Sequence, residues 1–239
     1  MPLQKLGVNV DVIGVDGDFS AYKVIIAPHL YVLSAANAKR LEAFVKAGGV
    51  LVTDVRTAVK DETGLIPMET PPCALRAVLG IEIPEYEAIA ADYPLHGSGA
   101  LAGAYTATGF ADWIVPGAGT QVLARHGAAH CRDYAAATVH AFGKGAAYHV
   151  GAVVKEEAFY RRLLQAVCKR AGVRGGIRVP EGMEAVVREG GGRRLLFLVN
   201  HTEAAQTVSV PSGGVRLADG RRTGATIKVA PCGVEVLQR

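Results

Sequence analysis

Two short apolar runs, Lys23-Val-Ile-Ile-Ala27 and Val50-Leu-Val-Thr-Asp54, lack polar alternation and are rich in Val and Ile. That is the pattern of strands covered on both faces in a parallel sheet. Between them Ala38, Leu41, Phe44 and Val45 recur at three-to-four spacing, which predicts a helix over 34–47 with one buried stripe. Ser34 stands where a side chain can cap the orphan amides of the first turn, and Gly48-Gly49 supplies an end that tolerates positive φ and a sharp return. The stretch is therefore a strand–helix–strand unit with a right-handed crossover.

The flanking pattern is less regular. Asn9-Val-Asp-Val-Ile13 predicts a short first strand, and Gln4-Lys5-Leu6-Gly7 the last turn of a helix. A doubly wound domain normally opens on a strand and helix packed against their neighbours, so that opening unit reads as missing or truncated, leaving a sheet edge or gap to be covered. After Asp54 a polar loop, 55–72, leads to a short helix over Cys73–Leu79 closed by Gly80. Ile81–Ile89 alternates like an exposed strand, with Pro84 confining it to an edge or a bulge. Residues 90–120 are rich in Gly and Ala and predict only irregular strands near Leu101–Tyr105 and Ala111–Val115.

Val122–Arg125 and Ala137–Ala141 predict strands, and Ala146–Val150 pairs back across the turn at Gly143-Lys144-Gly145. A helix over Glu156–Ala171, with Phe159, Leu163, Ala166, Val167 and Arg170 on its stripe, ends at Gly172. From Met183 the pattern becomes six short strands with no helix (184–188, 194–200, 206–210, 215–217, 226–229, 234–237), indicating a small antiparallel sandwich or barrel with little core of its own. The fold class expected is α/β: a flavodoxin-like parallel-sheet domain over 1–174, then a small all-β domain over 175–239.

The totals narrow the class. Of 239 residues, 50% are hydrophobic and 20% charged, which fits an ordered globular chain. No apolar run approaches the ~20 residues of a membrane helix, and Met1–Val8 lacks the basic opening and apolar segment of a signal peptide. Those absences favour the cytoplasm, or an excised fragment. Cys73, Cys131, Cys168 and Cys232 are far apart and read as free thiols rather than a zinc site. Residues 1–172 carry 16 Lys+Arg against 16 Asp+Glu and residues 173–239 carry 10 against 6, so the net +4 lies in the tail. No basic helix or aromatic interleaving accompanies it, which argues against a nucleic-acid partner.

Candidate chemistry is sparse. The crevice at the carboxyl ends of parallel strands is the usual ligand location. It holds His29, Asp54 and, in the following loop, Asp61-Glu62, with nothing to set two carboxylates across a sugar as glycoside hydrolysis requires. The strand-to-helix elbow where a nucleophile would sit offers Thr53, Asp54 and Arg56, without a G-x-S-x-G pattern or a cysteine. His126 and His130 are four apart, as metal ligands on a helix can be, but Gly127 and Ala128-Ala129 favour a turn. Gly14-Val-Asp-Gly17 matches no phosphate-loop pattern. No residue is assigned a catalytic, cofactor-binding or metal role, and no cofactor is expected.

Asp18-Phe-Ser-Ala-Tyr-Lys-Val-Ile-Ile-Ala-Pro-His-Leu-Tyr31, Phe44-Val-Lys-Ala-Gly-Gly49, Leu75-Arg-Ala-Val-Leu-Gly80, Ala141-Phe-Gly-Lys-Gly145 with Tyr148 and Gly151, and Phe197-Leu-Val-Asn-His201 together resemble, in order, the C-terminal half of the bacterial family 42 β-galactosidases. The resemblance covers essentially the whole chain. It implies a trimerisation domain similar in fold to class I glutamine amidotransferases, without their working Cys-His-Glu set, followed by the small β domain that ends those enzymes. It also implies that the acid/base and nucleophile glutamates belong to an N-terminal (β/α)₈ barrel, so none of the glutamates here inherits either role. The expectation is a non-catalytic assembly module forming a homo-oligomer, a trimer favoured, with a separate catalytic-barrel subunit as a further partner and no membrane partner. The alternatives are a small hydrolase or amidotransferase-like enzyme using Cys73 with a histidine, and carbohydrate binding by a tail domain that has Phe197 but no Trp or Tyr.

Overall fold

The computed structural model describes Leu3 and residues 6–239, and the chain divides into two compact units. One is Ile13–Gly172; the other joins residues 1–12 to Val173–Arg239. The helical turn expected at Gln4–Gly7 falls partly outside the described residues, which exclude Gln4 and Lys5.

The unit Ile13–Gly172 is built on β1 (Val24–Ala27), α1 (Ala35–Ala47) and β2 (Val50–Asp54). The Ser34 side chain accepts from the Asn37 N–H at 3.2 Å, which starts α1 where the sequence places it. Gly48, at φ 125°, ends it, and its N–H reaches back to Phe44 and Val45 carbonyls. Ala38, Leu41 and Val45 form the buried stripe, and full burial of a residue such as Leu41 contributes about 1.5–3 kcal/mol. A 3₁₀ turn at Cys73–Leu75 runs into α2 (Arg76–Leu79), followed by β3 (Ile81–Gly97), β4 (Gly103–Pro116), β5 (Thr120–His126), β6 (Ala135–Phe142), β7 (Gly145–Val150), β8 (Ala152–Val154) and α3 (Glu157–Arg170).

The sheet order is β1-β2-β7-β6-β5-β3-β4-β8. Among the described residues only β1, β2 and β7 run parallel, with Val24 opposite Val50 and Val50 opposite Ala146. Beyond β7 every pairing is antiparallel, so the parallel sheet expected from the first strand–helix–strand unit is confined to three strands. An additional pairing of Ile114 with Ala135 joins β4 to β6 and closes β6-β5-β3-β4 into a small barrel. Residues 90–120, where the sequence predicts irregular pieces, form most of a long β3–β4 hairpin. Its periodicity is broken by register shifts between Glu82 and Glu85, around Pro84, and between Ile89 and Tyr93. Among the described residues no strand pairs with the outer edge of β1.

The other unit contains β9 (Met183–Gly190), β10 (Arg193–Asn200), β11 (Gln206–Ser209), β12 (Gly214–Arg216), β13 (Arg222–Thr223), β14 (Thr226–Val229) and β15 (Val234–Gln238). Five of them form the sheet β13-β12-β15-β10-β9, while β11 and β14 pair separately, all antiparallel as expected. Met183, Leu196, Leu198, Val208, Ile227 and Leu237 are among the buried residues of its core. The strand expected at Asn9–Ile13 does not form. Val10 and Val12 are exposed, and the Asn9 amide instead bonds both backbone groups of Val187 on the edge strand β9. A side-chain amide substitutes for a strand there, so β-propensity alone misleads.

Candidate functional site

The carboxyl ends of β1 and β2 bring His29 and Asp54 together, as their positions after the two strands suggest. The His29 N–H donates to Asp54 Oδ1 at 2.6 Å and Nδ1 lies 3.2 Å from Oδ2, holding His29 at φ 49°. Burial raises the Asp54 carboxyl above its ordinary range, against the lowering pull of the His29 amide and ring. Glu62 stays exposed in the following loop, and the Asp61 carboxylate is engaged in its own turn, accepting from the Thr63 and Leu65 amides.

Beneath this pair lies a polar cluster the sequence did not reveal. Thr53 on β2, His149 on β7 and Asp112 on β4 are all at most 1% exposed. The Thr53 hydroxyl lies 3.3 Å from the Tyr148 carbonyl oxygen and 2.9 Å from His149 Nδ1, the imidazole tautomer deciding which of the two takes its proton. His149 Nε2 then faces Asp112 Oδ2 at 3.5 Å without a hydrogen bond, while the same carboxylate oxygen accepts from the Arg56 N–H at 2.9 Å. Hydroxyl, imidazole and carboxylate occur in series as in a hydrolytic triad, but all three groups are buried and His149 Nε2 makes no hydrogen bond to the carboxylate. The arrangement is a polar tie across β2, β7 and β4.

Arg56 occupies the elbow after β2 at φ 65°, the position a hydrolase gives to its nucleophile. Its guanidinium lies 3.9 Å from the Tyr86 ring centroid, 5.1 Å from Tyr31 and 5.2 Å from Phe110, and Nη2 donates to the Tyr31 hydroxyl at 3.1 Å. The elbow thus anchors an aromatic surface. Cys73 is poorly placed to act as a nucleophile, because its thiol donates to the Glu69 carbonyl and burial pushes its pKa up, helped by the Glu69 charge.

A second cluster sits on the barrel. Glu87 of β3 approaches His130 and Cys131 of the β5–β6 connection, with their donor atoms within 4.8 Å of one another. Tyr93 and Trp113 donate to Glu87 Oε1 at 2.8 and 3.3 Å. Burial opposes ionisation of Glu87, yet the bonds from Tyr93, His130 and Trp113 hold its pKa below the usual value. His126 does not join His130 on a helix: it is buried on β5, with Nδ1 3.2 Å from the Tyr93 hydroxyl.

Residues 1–174 match the family described as the β-galactosidase trimerisation domain, and residues 182–239 the β-galactosidase C-terminal domain. The chain belongs to this family. It is 33% identical to the β-galactosidase BgaP of Planococcus sp. (strain L4) over 243 residues, covering 99% of this chain and 36% of that protein. It is similarly 33% identical to BglY of Alicyclobacillus acidocaldarius, with 99% and 36% covered. Among solved structures, the β-galactosidase of Bacillus circulans sp. alkalophilus superposes with a TM-score of 0.92 at 30% identity, covering 100% of this chain and 36% of that one. That of Rahnella sp. R3 gives 0.88 at 30% identity, covering 100% and 35%. The chain spans about a third of the length of the curated relatives it matches. The matched region is the trimerisation and C-terminal part of these enzymes, and among the described residues there is no (β/α)₈ barrel. No helix among them is long and apolar enough to cross a membrane.

Proposed function

We propose that this chain is the assembly part of a family 42 β-galactosidase, building a homotrimer through its α/β unit and leaving sugar cleavage to a barrel outside these 239 residues. The observation that carries the reading is the match of residues 1–174 to a trimerisation domain, supported by an apolar and aromatic surface at the carboxyl end of the parallel strands. Exposed Val32 bridges to Lys60, whose ammonium lies over Tyr31; Arg56 joins Tyr31 to exposed Tyr86, which stacks on Phe110; and Leu65 and Ile66 are exposed in the loop that follows Lys60. Contiguous apolar surface rimmed by charge is what an interface between copies requires. The three parallel strands with α1 are read as the remnant of a flavodoxin-like, amidotransferase-type sheet working in the cytoplasm, in a domain that ends near residue 174 and is followed by the β domain 175–239, with residues 1–12 counted to the latter.

Sedimentation equilibrium of the full chain at tens of micromolar is expected to give a trimer, and the double change Val32→Asp with Tyr86→Ser to give monomer with unchanged circular dichroism. A monomer from the unaltered chain overturns the assembly reading. Galactoside turnover by the purified chain, lost on changing one of its own carboxylates, overturns the division of labour.

A further inference from the structure

The barrel cluster at Glu87, His130 and Cys131 has the makings of a metal centre, independent of the assembly reading. A carboxylate oxygen, an imidazole nitrogen and a sulfur converge from β3 and from the β5–β6 connection, 43 residues apart in the chain for Glu87 and His130. His130 Nε2 is 3.1–3.2 Å from both Glu87 oxygens. Ligands of a tetrahedral zinc ion stand about 3.3–3.7 Å apart, given metal–ligand bonds of about 2.0–2.3 Å. Two of the three donors therefore already have close to that spacing, and Cys131 Sγ needs to close in by at most about 1 Å, since no donor pair exceeds 4.8 Å.

We propose that Glu87, His130 and Cys131 bind one zinc-class divalent cation, with water at the fourth position, pinning the β5–β6 connection to β3. The donor set is chemically selective: thiolate and imidazole suit zinc and cobalt and disfavour magnesium or calcium. One carboxylate and one thiolate neutralise a dication, which a site with Cys131 at 1% exposure requires. Binding exchanges the thiol proton, released to water, for the sulfur–metal bond. The supporting shell is already in place, because Tyr93 and Trp113 orient Glu87 through its Oε1. His130, with its side chain 52% exposed, leaves an entry path and room for the water.

The molecule supplies its own reporter. Trp113 is the sole tryptophan, its ring centroid 5.8 Å from that of His130. Titration of the chelator-treated full chain with Co²⁺ is expected to produce a thiolate-to-cobalt charge-transfer band and quench Trp113 fluorescence at one equivalent, both reversed by Zn²⁺. Cys131→Ser, nearly isosteric, is expected to abolish the band, and His130→Ala, at an exposed side chain, to weaken binding by more than about tenfold. Cys232→Ser, which removes the exposed thiol elsewhere, is expected to leave both signals intact. Absence of band and quench at equimolar Co²⁺, or a band removed by Cys232→Ser and retained in Cys131→Ser, overturns the site.

Discussion

Asp54 holds an ionisable group where its charge is disfavoured, and the consequence has a definite sign. Burial raises its folded-state pKa above the ordinary carboxylate value, with Asp112 adding repulsion, despite the His29 contacts that oppose the shift. The stability this group contributes is therefore fully present below the unfolded pKa and is lost as pH rises through the raised folded value. Asp54→Asn keeps an acceptor for the His29 N–H and offers an N–H to the ring. It is expected to be as stable as the parent or more so at about pH 7, and to flatten the stability profile between the ordinary carboxylate pKa, about 4, and neutrality. Urea unfolding at the two ends of that window measures it; a loss larger at neutral than at acid pH would show instead that the charge is stabilising. That His29 and Asp54 share one end of the sheet was legible because each follows a strand whose parallel neighbour could be named from sequence, whereas their direct contact was not. Asp112 and His149 were not, because their approach depends on β4 and β7 meeting β2 through sheet order that no local pattern encodes.

At the scale of elements, the same contrast separates what periodicity shows from what close approach shows. The cap at Ser34, the stripe of α1, the stop at Gly48 and the β6–β7 hairpin follow from residues within one turn or one strand of each other, and all were readable. The barrel was not, since its closure rests on a single long-range pairing of Ile114 with Ala135, and the bulges in β3 and β4 erase the alternation that would have announced two long strands. Gly145 shows the limit well. Sequence marks it as a turn residue, whereas the structure gives it a second constraint: a Cβ there would stand 2.1 Å from the Gly49 carbonyl oxygen and 2.3 Å from that of Val45. Both obstacles are backbone, so the end of α1 would have to separate from the start of β7. Gly145→Ala is expected to cost about 1–3 kcal/mol or more, while Gly64→Ala, where no atom lies within 4 Å, meets only the strain of φ 82°. Thermal unfolding of the two variants, with Gly145→Ala the lower, checks the order.

At the scale of the whole chain, the division into units cuts across sequence order: residues 1–12 belong with the tail rather than with the α/β unit that immediately follows them. The link is physical. Gly176 N–H donates to the Gly7 carbonyl, Asn9 Nδ2 and Oδ1 bond the Val187 carbonyl and N–H, and Asp11 pairs with Arg188 at 3.0 Å. The Asn9 bonds lie on the outer side of β9, the last strand of its sheet, and satisfy edge groups of Val187 that would otherwise face solvent or another chain. A short apolar run looks like the first strand of the domain it precedes; only contacts 178 residues apart show it to be the cover of another sheet's edge. Asn9→Ala removes two hydrogen bonds at once. Each is exposed, so the expected loss is about 1 kcal/mol in total, and it should fall on the tail unit alone. Hydrogen exchange tests this: the Val187 amide and its β9 neighbours should lose protection while β2 and β7 keep theirs, because opening free energies differ between cooperative units. Equal loss of protection in β2 and β9 would mean that the two units unfold as one, and that residues 1–12 stabilise the entire chain rather than the edge they cover.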